Sequence, residues 1–399
     1  MTTTNHNSKT PNTIEYYDLA NHVHPDCKGF AGAIFDGRYV YFIPMNNGSF
    51  QGQVARFDTD GVFKNPGDWS YYDTSTLNPA SKGFINGTFD GRYIYFAPYL
   101  NGQHFGQVTR LDTKNEFTDS ESWSFFNTTQ LNPNSKGFVS AIFDGRYVYF
   151  VPYQLDMKTC HGQVTRYDTR GDFQNESSWH FFDMTQLHPD YKGYHAAIFD
   201  GRFVYFIPYV SEIDPLTHHG NIIQLDTQGD FFHTQSWVCF NTSEIFPKSV
   251  GFIGGTYVGQ YIYFAPYHNG DSRYGQIVRY NTKASFSNPQ SWDAFDTTII
   301  HENSRGFFGA IFDGRFIYFV PHCRGENLYH GQITRYDTNG SFTSLKSWTV
   351  FDTQSLHENN KGFIGGAFDG KYIYFAPYET EANKHSGQVL RFNVNADIF

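Results

Sequence analysis

Imidazole is the side chain best suited to proton transfer near neutral pH and to holding Zn, Cu, Fe or Ni, and this chain carries 17 of them. Most fall in two sets. The first is His104, His161, His218, His219, His268, His322, His330 and His385, in segments of variable length. The second is His24, His188, His301 and His357, each just upstream of a cation. Those cations are Lys28, Lys192, Arg305 and Lys361, with Lys82 and Lys136 at equivalent places. No HExxH occurs, and neither His22-x-His24 nor His218-His219 has a ready third ligand. A metal would need ligands gathered from distant segments, and His161, His195, His219 and His330 are the candidates. A divalent metal is compatible with this set, but no cofactor is required by the sequence. His195 stands apart, because related positions hold Ala31, Ile85, Val139, Ile253, Phe308 and Ile364. An ionisable group in an apolar series is a candidate catalytic acid–base group. Its bland alternative is a core histidine with satisfied nitrogens. Tyr153 and Tyr209 add ring faces on which a polar ligand can stack.

What positions these residues is a repeat. KGFxGAIFDGRYVYFxPY, a variable stretch, GQVTRYDTxGxF and SWxxFDT recur from Lys28, Lys82, Lys136, Lys192, Val250, Arg305 and Lys361, one copy every 54 to 58 residues. Fixed-period self-similarity with strand-like alternation of Phe and Tyr predicts an all-β, seven-bladed β-propeller with four antiparallel strands per blade. GFxGAIF reads as strand A and RYVYFxPY as strand B, joined by the Asp-Gly hairpin signal. GQVTRYD is strand C and WxxFD strand D.

The last copy stops after GQVLRFNV and lacks SWxxFDT. Residues 13–27 look like the missing part, with Tyr16-Tyr17-Asp18 matching Tyr71-Tyr72-Asp73. An N-terminal outer strand is therefore expected to close the ring and remove its free edges. Residues 1–12 read as a disordered tail and 13–399 as one domain. Strand D is then outermost and strand A, with its small central residues, innermost. The B–C and D–A loops share one face, the top, which receives most of the histidines and the cations named above. The A–B turns and C–D loops share the bottom.

Other recurring residues read as structural. All six tryptophans open strand D, as expected of contacts between blades. Arg56, Arg110, Arg166, Arg279, Arg335 and Arg391 are expected to pair between blades with nearby carboxylates such as Asp58, Asp112, Asp168 and Asp337. The turn pair typified by Asp144 and Arg146 is read as structural too. Blade five lacks both of its members, having Val258 and Gln260 there, and also has Val250 for Lys. The D-T-x-G-x-F loops resemble capped glycine turns rather than calcium loops, since carboxylates do not recur at the second ligand position. The four cysteines fall at non-equivalent positions and read as free thiols.

A net charge of −10 disfavours nucleic acid as a partner. No apolar run is long enough to span a membrane. The polar N-terminus has no secretory h-region, so a cytoplasmic location is expected.

The repeat and the strand-swapped closure resemble seven-bladed, WD-repeat-like propellers over residues 13–399. The Gly-His and Trp-Asp marks of WD repeats are missing, so the resemblance implies the fold and carries over no functional residue. The leading expectation is a non-catalytic, lectin-like protein. It would bind a glycan or small polar ligand several times over, on the top face or between blades. Candidate ligand-binding residues are the four D–A histidines, the six cations, His161, His219, His322, His330, Tyr153 and Tyr209. Two other readings stay open: a scaffold that binds another protein, and a lyase or hydrolase with one site around His195 at the top of the channel.

Overall fold

Each FDGRY segment folds into a hairpin because its aspartate holds the turn from both sides. Asp36 accepts the N–H groups of Arg38 (2.8 Å) and Tyr39 (2.7 Å) and the hydroxyl of Tyr41 (2.9 Å). The computed structural model describes residues 14–395. In blade one, strands A to D are Phe30–Phe35, Tyr39–Pro44, Gln53–Asp58 and Trp69–Asp73, hydrogen-bonded in that order. The pattern repeats in seven four-stranded antiparallel sheets, a seven-bladed propeller. Among the described residues no helix is long and apolar enough to cross a membrane.

The seventh sheet joins both ends of the described chain. Ile14–Asp18 pairs with Gln388–Asn393, in register from Ile14 opposite Phe392 to Asp18 opposite Gln388. Ile14 takes the place that tryptophan holds elsewhere, as Trp69 does opposite Phe57. Glu15 accepts from the buried Arg391 at 2.7 Å, tying the closing strand by charge as well as by its ladder. The tail expected over residues 1–12 lies outside the described residues.

The tryptophans join blades. Trp179 stacks on Phe126 of the preceding blade (4.7 Å between centroids), Trp237 on Phe182 (4.5 Å) and Trp292 on Phe240 (4.4 Å). Each indole N–H donates to a carbonyl of its own C–D loop, as Trp179 does to Phe173 (3.1 Å). The ring is therefore buried without leaving its polar atom unpaired.

The strand C arginines do not pair with the nearby aspartates, contrary to the sequence expectation. Arg38 takes Asp58 (2.7 Å), Arg92 takes Asp112 (2.7 Å), Arg146 takes Asp168 (2.6 Å) and Arg315 takes Asp337 (2.7 Å), all within one blade. The turn aspartate next to each arginine is already committed to backbone and tyrosine. This explains the coupled losses in blade five, where Val258, Gln260 and Asn281 replace the turn aspartate, the arginine and its carboxylate together. Blade seven changes the same pair, to Lys371 and Asn393.

The B–C and D–A loops do share the top face. Gly83 donates to the carbonyl of Gln51, joining the D–A passage to the preceding B–C loop (2.9 Å). The glycine of the KG pair is also required for the approach to the B–C loop of its own blade: Gly29 has φ +69°, and a Cβ there would lie 1.6 Å from the Asn46 carbonyl oxygen. All four cysteines are free.

Candidate functional site

Strand A carries a β-bulge in every blade, and the residue it inserts faces the axis. In blade four Tyr194 pairs with Pro208 and Ala196 with Ile207, leaving His195 between them. Its ring lies 5.9 Å from Tyr153, 5.6 Å from Tyr209 and 5.2 Å from Phe308, which reaches across from blade six. Phe308 also touches His322 (5.4 Å) and Tyr267 (5.7 Å). The rings of Tyr99, Tyr153, Tyr209, Tyr267 and His322 run around the top at spacings of 6.0 to 6.1 Å. Together with the buried Ile85, Val139, Ile253 and Ile364 they fill the axis. Below this plug is a cavity of about 270 Å³ lined largely by small residues of strand A, with His195 in its wall and no carboxylate. Burial lowers the His195 pKa to about 3, so the imidazole is neutral at ordinary pH. The neutral ring sits among aromatics, with no carboxylate in the cavity lining.

The D–A histidines act as turn caps. Nδ1 accepts the N–H two residues on: His24 from Asp26 (3.3 Å), His188 from Asp190 (3.3 Å), His301 from Asn303 (3.1 Å) and His357 from Asn359 (3.2 Å). Asn78 and Asn132 do the same with their amide oxygens. Imidazole and carboxamide alternate here because each offers one acceptor at the right reach.

His161, His219 and His330 share one position, immediately before Gly-Gln or Gly-Asn, and turn into their own blades. His330 Nε2 lies 2.9 Å from the Arg305 carbonyl. Gln51 and Tyr274, at the same position, donate to the carbonyls of Lys28 (2.6 Å) and Val250 (2.7 Å). Burial lowers His161 and His330 to about 3 and His219 to about 4. The metal candidates His161, His195, His219 and His330 are not brought together. Among the described residues no group of three or more His, Cys, Asp or Glu could hold a metal ion.

The cations form a half-buried ring on the top face, one per blade except blade five. Lys192 pairs with Glu212. Lys28, Lys82, Lys136, Arg305 and Lys361 have no ion pair among the described residues. Tyr153, Tyr209, His195 and His322 thus converge at the axis, while the other sequence candidates stand apart around the rim.

The bottom face holds what the sequence reading missed. Arg56, Arg110, Arg166, Arg279 and Arg391 on strand C each insert between the first aromatic of strand B and the C–D phenylalanine of the next blade, and Arg335 lies over Phe316. Arg166 lies 4.0 Å from the Tyr147 ring and 3.9 Å from Phe231; Arg279 lies 4.2 Å from Tyr261 and 4.3 Å from Phe342. Such sandwiches are worth about 1–2 kcal/mol when partly desolvated. Arg56, Arg110 and Arg335 also donate from Nε to Ser70, Ser124 and Thr349 on strand D. In blade three His180 takes that place, and the buried Arg166 Nε has no partner. Beside three of the strand C arginines, Arg166, Arg279 and Arg335, the junction opens into clefts of about 390, 410 and 420 Å³, at blades three/four, five/six and six/seven. The signal was present in the sequence, as the recurring aromatic, arginine and phenylalanine of one copy and the next. It was masked by the aspartate two residues from each arginine.

Neither a protein-family profile nor any curated protein sequence matches the chain. Solved structures do resemble it. One is PorZ, described as an essential bacterial surface component of the type-IX secretion system of human oral-microbiomic Porphyromonas gingivalis. It aligns at 11% identity and TM-score 0.50 over 90% of this chain and 36% of PorZ, so the chain spans about a third of that protein. Another is the WD40 domain of Neurospora crassa Pan2, at 10% identity and TM-score 0.55 over 97% of both chains. At these identities the likeness establishes the propeller fold alone.

Proposed function

We propose that the chain is a multivalent, lectin-like binding protein that takes a repetitive glycan into the clefts between its blades on the bottom face. The observation that supports this is the recurrence, at three junctions, of a cleft of nearly equal volume beside a strand C arginine and the first aromatic of strand B. Blade three contributes Asp144, Arg146, Tyr147 and Arg166, and blade four contributes Thr227 to Phe231. The cleft at blades five/six repeats the arrangement with Tyr261, Arg279, Thr338, Ser341 and Phe342. These volumes fall in the usual range for small-ligand sites. A guanidinium edge, hydroxyls and backbone groups around aromatic rings suit sugar hydroxyls. Similar weak sites on one ring gain by avidity on a repeating ligand.

The test is a broad glycan array followed by calorimetry on a hit. A stoichiometry above one is expected. Arg166→Gln, chosen because blade four carries Gln224 there, should remove one site and leave the others. A single site per chain, or silence on sugars with capture of one specific protein, would replace this reading with the scaffold.

A further inference from the structure

The top-face loops contain three arginines, Arg273, Arg305 and Arg324, and all three fall in blades five and six. Two of them, Arg273 and Arg305, line one cavity of about 560 Å³ formed by the D–A loop of blade four and the B–C and D–A loops of blade five. Lys248 lines it as well, and Ile245, Phe246 and Pro247 give it an apolar side. We propose that this cavity is a binding site for a small oxyanion-bearing ligand, its charged group held by Arg273 and Arg305 and its body resting on Phe246.

Three departures from the repeat open the cavity. Phe246 stands where four blades have a capping histidine and two an asparagine. Val250 stands where the other blades have a cation. The third is a missing tie between loops. In blades one and two, Asn47 and Asn101 reach from the B–C loop to the carbonyls of Asp26 (3.4 Å) and Ala80 (3.1 Å) on a D–A loop. Asn269 instead caps its own loop, accepting from Asp271 (3.0 Å) and Ser272 (2.9 Å).

Neither Arg273 nor Arg305 has an ion pair among the described residues. Arg273 interacts with Tyr209, Tyr267 and Cys323 of the axial plug, and Arg305 Nε is buried without a hydrogen-bond partner among the described residues. A buried donor left unpaired is destabilising, and a ligand oxygen would satisfy it. Arg273 is held rigid, its guanidinium carbon 3.9 Å from the Tyr267 ring centroid. Asp296, the carboxylate in the lining, is engaged by Thr298 through N–H (2.9 Å) and O–H (2.7 Å). Lys248 is 3.8 Å from the exposed Asp271, a weak partner. A guanidinium fork matches phosphate, sulfate and carboxylate oxygens in a way that an ammonium does not. Every other cation of the top ring is lysine, so the exchange to arginine at this one junction is the feature such a ligand would require.

The probes are inorganic phosphate, sulfate, citrate and glucose 6-phosphate, titrated calorimetrically into the full chain with glucose as the neutral control. At least one oxyanion should bind saturably, once per chain, and glucose should not bind at this site. Phosphate and sulfate against citrate separates a tetrahedral from a carboxylate ligand. Arg305→Lys restores the residue that five other blades carry, so it will fold. It should weaken binding about tenfold, about 1.4 kcal/mol. Arg273→Gln should weaken it further, and Val250→Lys with Phe246→His should close the cavity and abolish binding. No saturable binding by any of the four probes, or binding that Arg305→Lys and the closing pair leave unchanged, would overturn the proposal.

Discussion

At the bottom rim, five blades lay an arginine between two rings, blade six lays Arg335 over Phe316, and blade four has Gln224 there. At the top rim one loop position holds Gln51, Phe105, His161, His219, Tyr274, His330 and Ser386 in turn. Bottom contacts join side chains of neighbouring blades, so a change in one blade must suit the next. At the top, Gln51, Tyr274 and His330 reach for backbone carbonyls, Phe105 packs on Phe84 and Ser386 accepts from the Gln388 N–H, so one position tolerates several side chains. Recurrence at the bottom therefore marks coupling between blades, and variation at the top marks freedom. Cavities follow the same division: the bottom clefts recur at three junctions, and the blade-five cavity is lined by residues that depart from the repeat.

The largest expected effect removes the condition that both rims share. Deleting residues 1–18 takes away the closing strand and leaves Gln388–Asn393 as a bare edge. The melting temperature should fall by more than about 10 °C, with aggregation visible by size exclusion. A truncated chain as stable as the full one would show that neither rim depends on closure.

Acid should separate the rims next. Burial holds His161, His195, His322 and His330 at about 3, and His218 and His219 at about 4, all of them in the upper part of the ring. An unfolded histidine titrates near about 6.5. The folded state thus binds fewer protons than the unfolded one. The stability these groups contribute is fully present above about pH 6.5 and is lost as pH falls toward the folded values. On the bottom, arginine hydrogen bonds lower the pKa of Asp58, Asp226 and Asp337, whose contribution is lost only below the ordinary carboxylate range. Hydrogen exchange between pH 6.5 and 4 should therefore quicken in the top loops before the bottom turns. His195→Phe, which copies Phe308, should lessen the slope of urea midpoint against pH in that interval. Simultaneous loosening of both rims would break the comparison.

The smallest effect tests coupling at the bottom. Arg38→Lys with Asp58→Asn copies Lys371 and Asn393 of blade seven. This pair is exposed on the arginine side, so each single change should cost less than about 1 kcal/mol, with the double change no worse than either. Strict additivity in a denaturant double-mutant cycle would show the pair to be uncoupled.

The ring was legible in the sequence because strand order, turn chemistry and closure each leave a residue pattern. Tyr16-Tyr17-Asp18 revealed its partner by matching Tyr71-Tyr72-Asp73, and the ladder to Gln388–Asn393 follows. The histidines were harder to read because direction is invisible in a run of letters. His218 and His219 are neighbours, yet His219 packs edge-on to Tyr194 of the core while His218 stacks on His268 at 4.6 Å. His161 and His330 look like ligands for the same reason. Arg56 was misassigned because Asp58 is two residues away, while the arginine that holds Asp58 is Arg38, twenty residues back. The blade-five cavity needs three dimensions, since its lining comes from segments that share no motif.

The ladder between Ile14–Asp18 and Gln388–Asn393 also sets an order of events during synthesis. Glu15 and Arg391 are 376 residues apart in the chain. The first six blades can each assemble from one continuous stretch as it leaves the ribosome. The seventh cannot, because its outer strand is made before the other six blades and its other three strands after them. That strand must stay unpaired until all six have emerged, and the ring becomes a ring only with the seventh.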